Sequence, residues 1–327
     1  LAHSGDPDDA FMWWPITGRV KPNGEQYPGV AGQPAISTGR FTYRAIPGDI
    51  AAFNAMAAAE SKGTGPTCYD VCALSARAWA TVSHLYAITE VGSSMGEGYG
   101  PKLVMKPTPA DPTPTALKLL DPACRIAVPG LTTSAVLTLD LWAIAHGSKP
   151  ISQQTTPDGK PRLVPASFND IIPLTVRGEV QAGLVIHEGQ ITYKEANLLK
   201  MLDLGGWWTA THALPLPLGV NAVRLDLDQR FGPGSVQHVA NTLRASLAHA
   251  LKHRAASTAY TMPYARVNAL QNGTPPPSLA TVQRYLGMYV THHTSTLSPR
   301  ARQGLSTFFD LAAKHGLIPA RPTLSIV

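Results

Sequence analysis

Proton transfer near neutral pH calls for a histidine held beside an apolar wall, and among the 11 histidines His187 best fits that description. It follows the apolar run 182–186, Ala-Gly-Leu-Val-Ile, and precedes Glu188 and Gly189. A run of that length and composition reads as a buried strand. A neutral imidazole at its C-terminal end is suited to act as a general base; the same position also suits a histidine that only satisfies its own bonds in the core. A second feature is Thr132-Thr133-Ser134, where a short strand at 125–128 and the turn Pro129-Gly130 feed a helix. Backbone N–H groups, hydroxyls and the positive end of the helix dipole converge there, which fits a carboxylate ligand. Plain N-capping would use the same residues. Around Gly98, Tyr99 and Gly100 the two glycines, lacking side chains, could let backbone N–H groups approach a ligand.

Other chemistries are disfavoured. Gly92-Ser93-Ser94-Met95-Gly96 matches G-x-S-x-G, but a nucleophile elbow needs a helix after its serine, and Gly96, Gly98, Gly100 and Pro101 follow instead. His187-Glu188 lacks the second histidine of a zinc-binding helix, Cys68 and Cys72 lack a second pair, and Asp6, Asp8 and Asp9 lack the glycine and distal glutamate of a calcium loop. Capping by Asp8 or Asp9 of a helix at 10–16 explains that acidic run more simply. With neither a dinucleotide fingerprint nor a phosphate loop, no cofactor and no metal are expected.

The elements that would position these residues follow from composition and pattern. In 327 residues, 44% hydrophobic and 15% charged, the 28 Gly and 29 Pro mark turns rather than disorder. Strand-like and helix-like segments alternate, which argues for an α/β protein with largely parallel sheets. A helix capped by Ser235 places Val236, Val239, Ala240, Leu243, Leu247 and Leu251 on one face. Two Pro-rich crossings, 106–114 and 215–219, suggest an inserted lobe: residues 1–106 with 220–327 form lobe I, and 107–219 form lobe II. In such a clamp a ligand cleft is expected between the lobes, near strand C-termini.

Net charge is +6, and residues 221–327 carry 11 Lys and Arg against 3 Asp and Glu. These cations are spread thinly rather than clustered with aromatic platforms, so no nucleic-acid partner is expected; they suit a small anion better. The longest uncharged run, 204–223, is broken by glycines, prolines and a histidine, so no membrane span is expected. Three cysteines in a chain this long point to a reducing compartment, with the cytoplasm as the default location.

The stretch 168–224, with GLVIHEG at 183–189 and PLPLG at 215–219, closely resembles the 1,4-dihydroxy-6-naphthoate synthases of the futalosine route to menaquinone. Ser4 with Asp9, Tyr69-Asp70-Val71 with Leu74-Ser75, Gly98-Tyr99-Gly100-Pro101 and Ile126 to Gly130 with Thr132-Thr133 extend the resemblance over most of the chain. It implies a type II periplasmic-binding-protein-like fold of two α/β lobes. It further implies a cofactor-free lyase that converts cyclic dehypoxanthinyl futalosine, a small-molecule carboxylate, to 1,4-dihydroxy-6-naphthoate. Carried over, His187 is the catalytic histidine and Thr132 and Thr133 the carboxylate-binding turn. Ser4, Asp9, Ser75, Gly98, Tyr99, Gly100 and Glu188 complete the substrate-binding set. Two other readings stand beside it: a solute-binding protein for an aromatic carboxylate, which a leader ahead of Leu1 would favour, and the related chorismate dehydratase. The chain departs from the family at Gly5-Asp6-Pro7-Asp8-Asp9-Ala10, which is richer in negative charge, at Arg77 in place of a histidine, and at the apparent insertion 21–36.

Overall fold

The computed structural model describes residues 1–187, 189–271, 273 and 275–327. In chain order its strands are β1 (Ala2–Ser4), β2 (Ile46–Gly48), β3 (Val71–Ser75), β4 (Tyr86–Ile88), β5 (Ser94–Gly96), β6 (Lys102–Met105), β7 (Ile126–Val128), β8 (Leu163–Pro165), β9 (Ala182–Val185), β10 (Leu199–Asp203) and β11 (Leu216–Arg224). They form a six-stranded sheet of order β2-β1-β3-β11-β4, with β5 paired to β11, and a five-stranded sheet of order β10-β6-β9-β7-β8.

The chain divides into two units, Leu1–Met95 with Gly219–Arg302 and Ala320–Val327, and Gly96–Leu218 with Gln303–Pro319. The first division falls ahead of the 106–114 crossing, because Lys102–Met105 is not the end of the first sheet but an inner strand of the second, between β9 and β10. The second departure is at the C-terminus. Gln303–Pro319 groups with the second unit, where Phe308 meets Trp208 edge to face at 5.5 Å. The expected crossing at 215–219 is part of a strand. Pro217 is compatible with it because the pairing of β11 to β3 begins only at Gly219, so no ladder bond to β3 is asked of the missing N–H.

In the first unit, β1 and β3 run parallel while β11 runs antiparallel to β3, with Gly219 opposite Ser75. The helix Pro7–Thr17 follows β1; Asp6 takes the cap position without a side-chain cap bond, and Pro7 opens the helix with its φ already set. Asp8 and Asp9 therefore sit inside the first turn, where the helix dipole favours them, rather than at the cap. Phe11, Trp13 and Ile16 pack with Val239, Leu243 and Leu247 of the helix Ser235–Lys252. Of the six residues assigned to the apolar face of that helix, all but Ala240 lie in or against this core, and Ala240 is buried as well. Gly234, in a left-handed conformation, takes its cap position, and Ser235 is its first residue.

In the second unit, β9 lies between β6 and β7 and is buried along its length, as its unbroken apolar sequence requires. The apolar helix Ser134–Ala145 packs Val136, Leu139 and Trp142 against Leu103, Ile126 and Leu184. The segment 153–165 ends in the edge strand β8. Gly205 lies at the start of the helix Leu204–His212, so close to Tyr99 and Gly100 that a Cβ there would overlap the Tyr99 carbonyl. Replacing Gly205 with Ala should therefore cost about 1 to 3 kcal/mol of stability, whereas Gly206→Ala, whose Cβ would meet only ordinary contacts at 3.7 Å, should leave the melting temperature unchanged or higher. Thermal melts of the two variants check this.

Candidate functional site

In the first unit, the residues singled out from sequence collect at the C-terminal ends of adjacent parallel strands. Ser4 ends β1 and Ser75 ends β3, the usual location for a ligand contact in an α/β sheet. Ser75 is locked to Asn54 reciprocally: the Asn54 amide donates to its Oγ at 3.0 Å, and the Ser75 N–H donates to Asn54 Oδ1 at 3.0 Å. Asp9 is buried and turned inward. It accepts from the Ser4 N–H at 2.7 Å through Oδ2 and from Trp13 Nε1 at 3.3 Å through Oδ1. The extra acidic residues of this turn are likewise held by partners: Asn268 donates to Asp6 Oδ1 at 3.0 Å and Tyr285 to Asp8 Oδ1 at 3.1 Å. These bonds hold the negative charge of the departing motif in place within this unit.

His3 adds a buried titratable group that the sequence reading missed, because one histidine in a three-residue strand carries no motif. Burial pushes its pKa down, against the pull of the nearby Asp9 carboxylate. Burial likewise pushes the Asp9 carboxyl up, against His3 and the Ser4 bonds.

In the second unit, His187 follows β9 directly in a left-handed conformation, φ 51°, which residues with a Cβ adopt seldom. Its ring meets Phe168 edge to face at 5.1 Å, and its carbonyl accepts from the Gln190 N–H at 3.2 Å. Glu188 lies outside the described residues. The two threonines differ. Thr133 is the N-cap of Ser134–Ala145: its hydroxyl accepts from the Val136 N–H and donates to the Gly130 carbonyl at 2.9 Å. Thr132 is exposed. The glycine loop packs on protein: the Gly98 N–H donates to Thr209 Oγ1 at 3.1 Å, and Gly100 lies against the backbone of Gly205. Backbone packing on this helix is thus one requirement for glycine in the loop.

Lys102, which the sequence reading passed over, stands at the start of β6 with its side chain 12% exposed, 3.4 Å from the Asp203 carboxylate. Burial lowers its pKa and Asp203 opposes that. The available signal was a lysine opening an otherwise apolar strand directly after the glycine loop. Ser94 opens β5 and no helix follows it, which disposes of the nucleophile-elbow geometry. Among the described residues, no group of three or more His, Cys, Asp or Glu is placed to hold a metal ion. Among them, too, no helix is long and apolar enough to cross a membrane.

Two α/β units, each with serines, threonines or a histidine at strand ends, define a protein of the periplasmic-binding-protein fold. Likeness to a solved binding protein supports the fold: the alkanesulfonate-binding protein SsuA from Xanthomonas axonopodis pv. citri, bound to MOPS, is 17% identical with a TM-score of 0.56, covering 88% of each chain. Protein AF1704 from Archaeoglobus fulgidus is nearer, at 30% identity and a TM-score of 0.71 over 97% of each chain. The menaquinone biosynthesis family matches residues 1–314, and the chain belongs to that family. A relative named 1,4-dihydroxy-6-naphthoate synthase, from Streptomyces coelicolor, is 32% identical over 235 residues, 72% of this chain and 72% of its own length. A second protein of that name, from Thermus thermophilus, is 34% identical over 180 residues, 55% of this chain and 56% of its own length. The chain is accordingly an enzyme.

Two outcomes follow from the geometry. Loss of the cap bond in Thr133→Val should cost about 0.5 to 2 kcal/mol of stability, while Thr132→Val should leave the denaturation midpoint unchanged. The second concerns pH. The unfolded His3 takes up a proton near its ordinary value of about 6.5, whereas the buried ring does so only at lower pH. Its contribution is therefore complete above that value and is lost as pH falls below it, by up to about 1.4 kcal/mol per pH unit. Asp9 acts in the opposite sense, since its folded carboxyl is protonated before the unfolded one. Denaturant titrations should show a shallower loss of stability below about pH 6.5 for His3→Gln than for the native chain.

Proposed function

We propose that this enzyme is a lyase that converts cyclic dehypoxanthinyl futalosine to 1,4-dihydroxy-6-naphthoate, with His187 as the general base, and that it works in the cytoplasm. The relatives named for this product support the reaction class. The observation that carries the residue assignment is the left-handed His187 at the end of β9. A β-carbon-bearing residue held in that conformation is a cost the surrounding structure must offset, and such residues cluster at functional sites.

In the proposed step the imidazole takes the proton of a substrate hydroxyl. The O–H electron pair becomes the new C=O bond as the adjacent carbon–carbon bond breaks. The electrons of that bond pass to the ring-bearing fragment, which takes back the proton from the imidazolium. Formation of the aromatic naphthoate drives the cleavage, and the other fragment leaves as a ribose-derived carbonyl compound. The step is redox-neutral and asks the protein only for a positioned base and for binding of the carboxylate. Thr132 is assigned to the carboxylate because its neighbour Thr133 is engaged as a cap. Ser4, Asp9, Ser75 and the Gly98, Tyr99 and Gly100 loop keep their assignment to substrate binding from the family resemblance, with Asp9 acting through Ser4.

Incubation with cyclic dehypoxanthinyl futalosine should release the naphthoate, detected by mass spectrometry, and incubation with chorismate should give no turnover. Binding of an aromatic carboxylate without any turnover would identify a solute-binding protein instead. His187→Asn should keep the fold and the substrate dissociation constant while lowering kcat by about 100-fold to 10,000-fold. Native turnover should decline toward acid pH, because a protonated ring has no lone pair to accept with. A folded His187→Asn protein with near-native kcat would remove His187 from the mechanism.

A further inference from the structure

Beside the His187 turn stands a charged cluster that the proposed step does not use. Lys102 is opposite Val185 on β9 and opposite Asp203 on β10. Its ammonium lies 3.1 Å from Gln190 Oε1, 3.4 Å from the Gly100 carbonyl and 3.4 Å from Asp203 Oδ2. An ammonium has three protons, and these are three acceptors. Asp203 is itself anchored, since its Oδ1 accepts from the Gly205 and Gly206 N–H groups, each at 3.1 Å. Gln190 belongs to the one-turn helix Gly189–Thr192, and its backbone N–H donates to the His187 carbonyl at 3.2 Å. A continuous series of bonds therefore runs from the start of the helix Leu204–His212 through Asp203, Lys102 and Gln190 to His187.

Burying an ammonium and a carboxylate costs more than packing the same space with apolar side chains. A sheet whose neighbouring residues are Leu103, Val104 and Val185, all buried, has no need of that pair for cohesion. What the pair supplies is a fixed donor for the Gln190 side chain, and thereby a fixed end to a turn whose backbone is otherwise disfavoured. We infer that Lys102 and Gln190 are positioning residues that hold the His187 turn and aim its imidazole, with Asp203 as their anchor. This inference rests on His187 being the base.

The test uses the full chain. Gln190→Leu keeps the side-chain size and removes the acceptor; it should lower kcat by about 10-fold to 100-fold, the scale of a misaimed reacting group, with KM within about threefold and little change in Tm. Gln190→Glu keeps an acceptor for Lys102 and should retain most of the turnover. Lys102→Met should reproduce the loss, and the double variant should lose no more than either single one, because both act through one contact. In the His187→Asn protein, adding Gln190→Leu should change residual turnover by less than about twofold. The inference is overturned by native kcat in Gln190→Leu, by losses that multiply in the double variant, by a loss that Gln190→Glu does not relieve, or by a loss that merely follows unfolding. If His187→Asn keeps its turnover, the base assignment fails and the positioning role with it. If His187→Asn is inactive while Gln190→Leu is normal, only the positioning role fails.

Discussion

Burial of β9 on both faces is the constraint on which the second unit depends. With β6 on one side and β7 on the other, and side chains enclosed above and below, Ala182–Val185 admits only apolar residues and has one fixed register. That register decides where the strand stops and so where His187 emerges. It also decides which residue of β6 stands opposite that exit, and the residue there is Lys102. The positions of the histidine and of the residue opposite its exit are thus both consequences of a packing requirement, whereas the charge carried there is not.

The first unit solves a different problem. Its acidic turn after β1 brings several carboxylates to the end of a sheet, where mutual repulsion and burial would be costly. Each is offset by a donor: the nearby Ser4 and Trp13 for Asp9, and the distant Asn268 and Tyr285 for Asp6 and Asp8. Long-range hydrogen bonds thus hold Asp6 and Asp8, while local ones hold Asp9. The match to the menaquinone biosynthesis family runs from residue 1 to 314 and so includes this turn.

The two threonines show how neighbouring residues of one motif divide their labour. Thr133 stabilises the helix it begins, and its hydroxyl is occupied in doing so. Thr132, one residue earlier, has no such duty at the cap and stands exposed. Capping and ligand binding draw on the same backbone geometry, which is why the sequence pattern allows both readings.

Read alone, the sequence determined what local pattern can determine. The apolar run ending at His187, the helix opened by Thr133 and the apolar face of Ser235–Lys252 were legible because each is written within a few turns of helix or one strand, and the family resemblance because its short motifs recur in order along the chain. Only the tertiary structure decided that Pro217 lies in a strand, that Gly96–Leu218 belongs to the second unit, and that Gly100 and Gly205 are glycine because two backbones touch. It alone paired Lys102 with Gln190 and Asp203, residues far apart in sequence. The physical reason is range: side-chain periodicity and turn propensity act between near neighbours, whereas the partner of a buried polar group is set by which strands lie side by side. That adjacency comes from the whole chain packing its apolar surface at once.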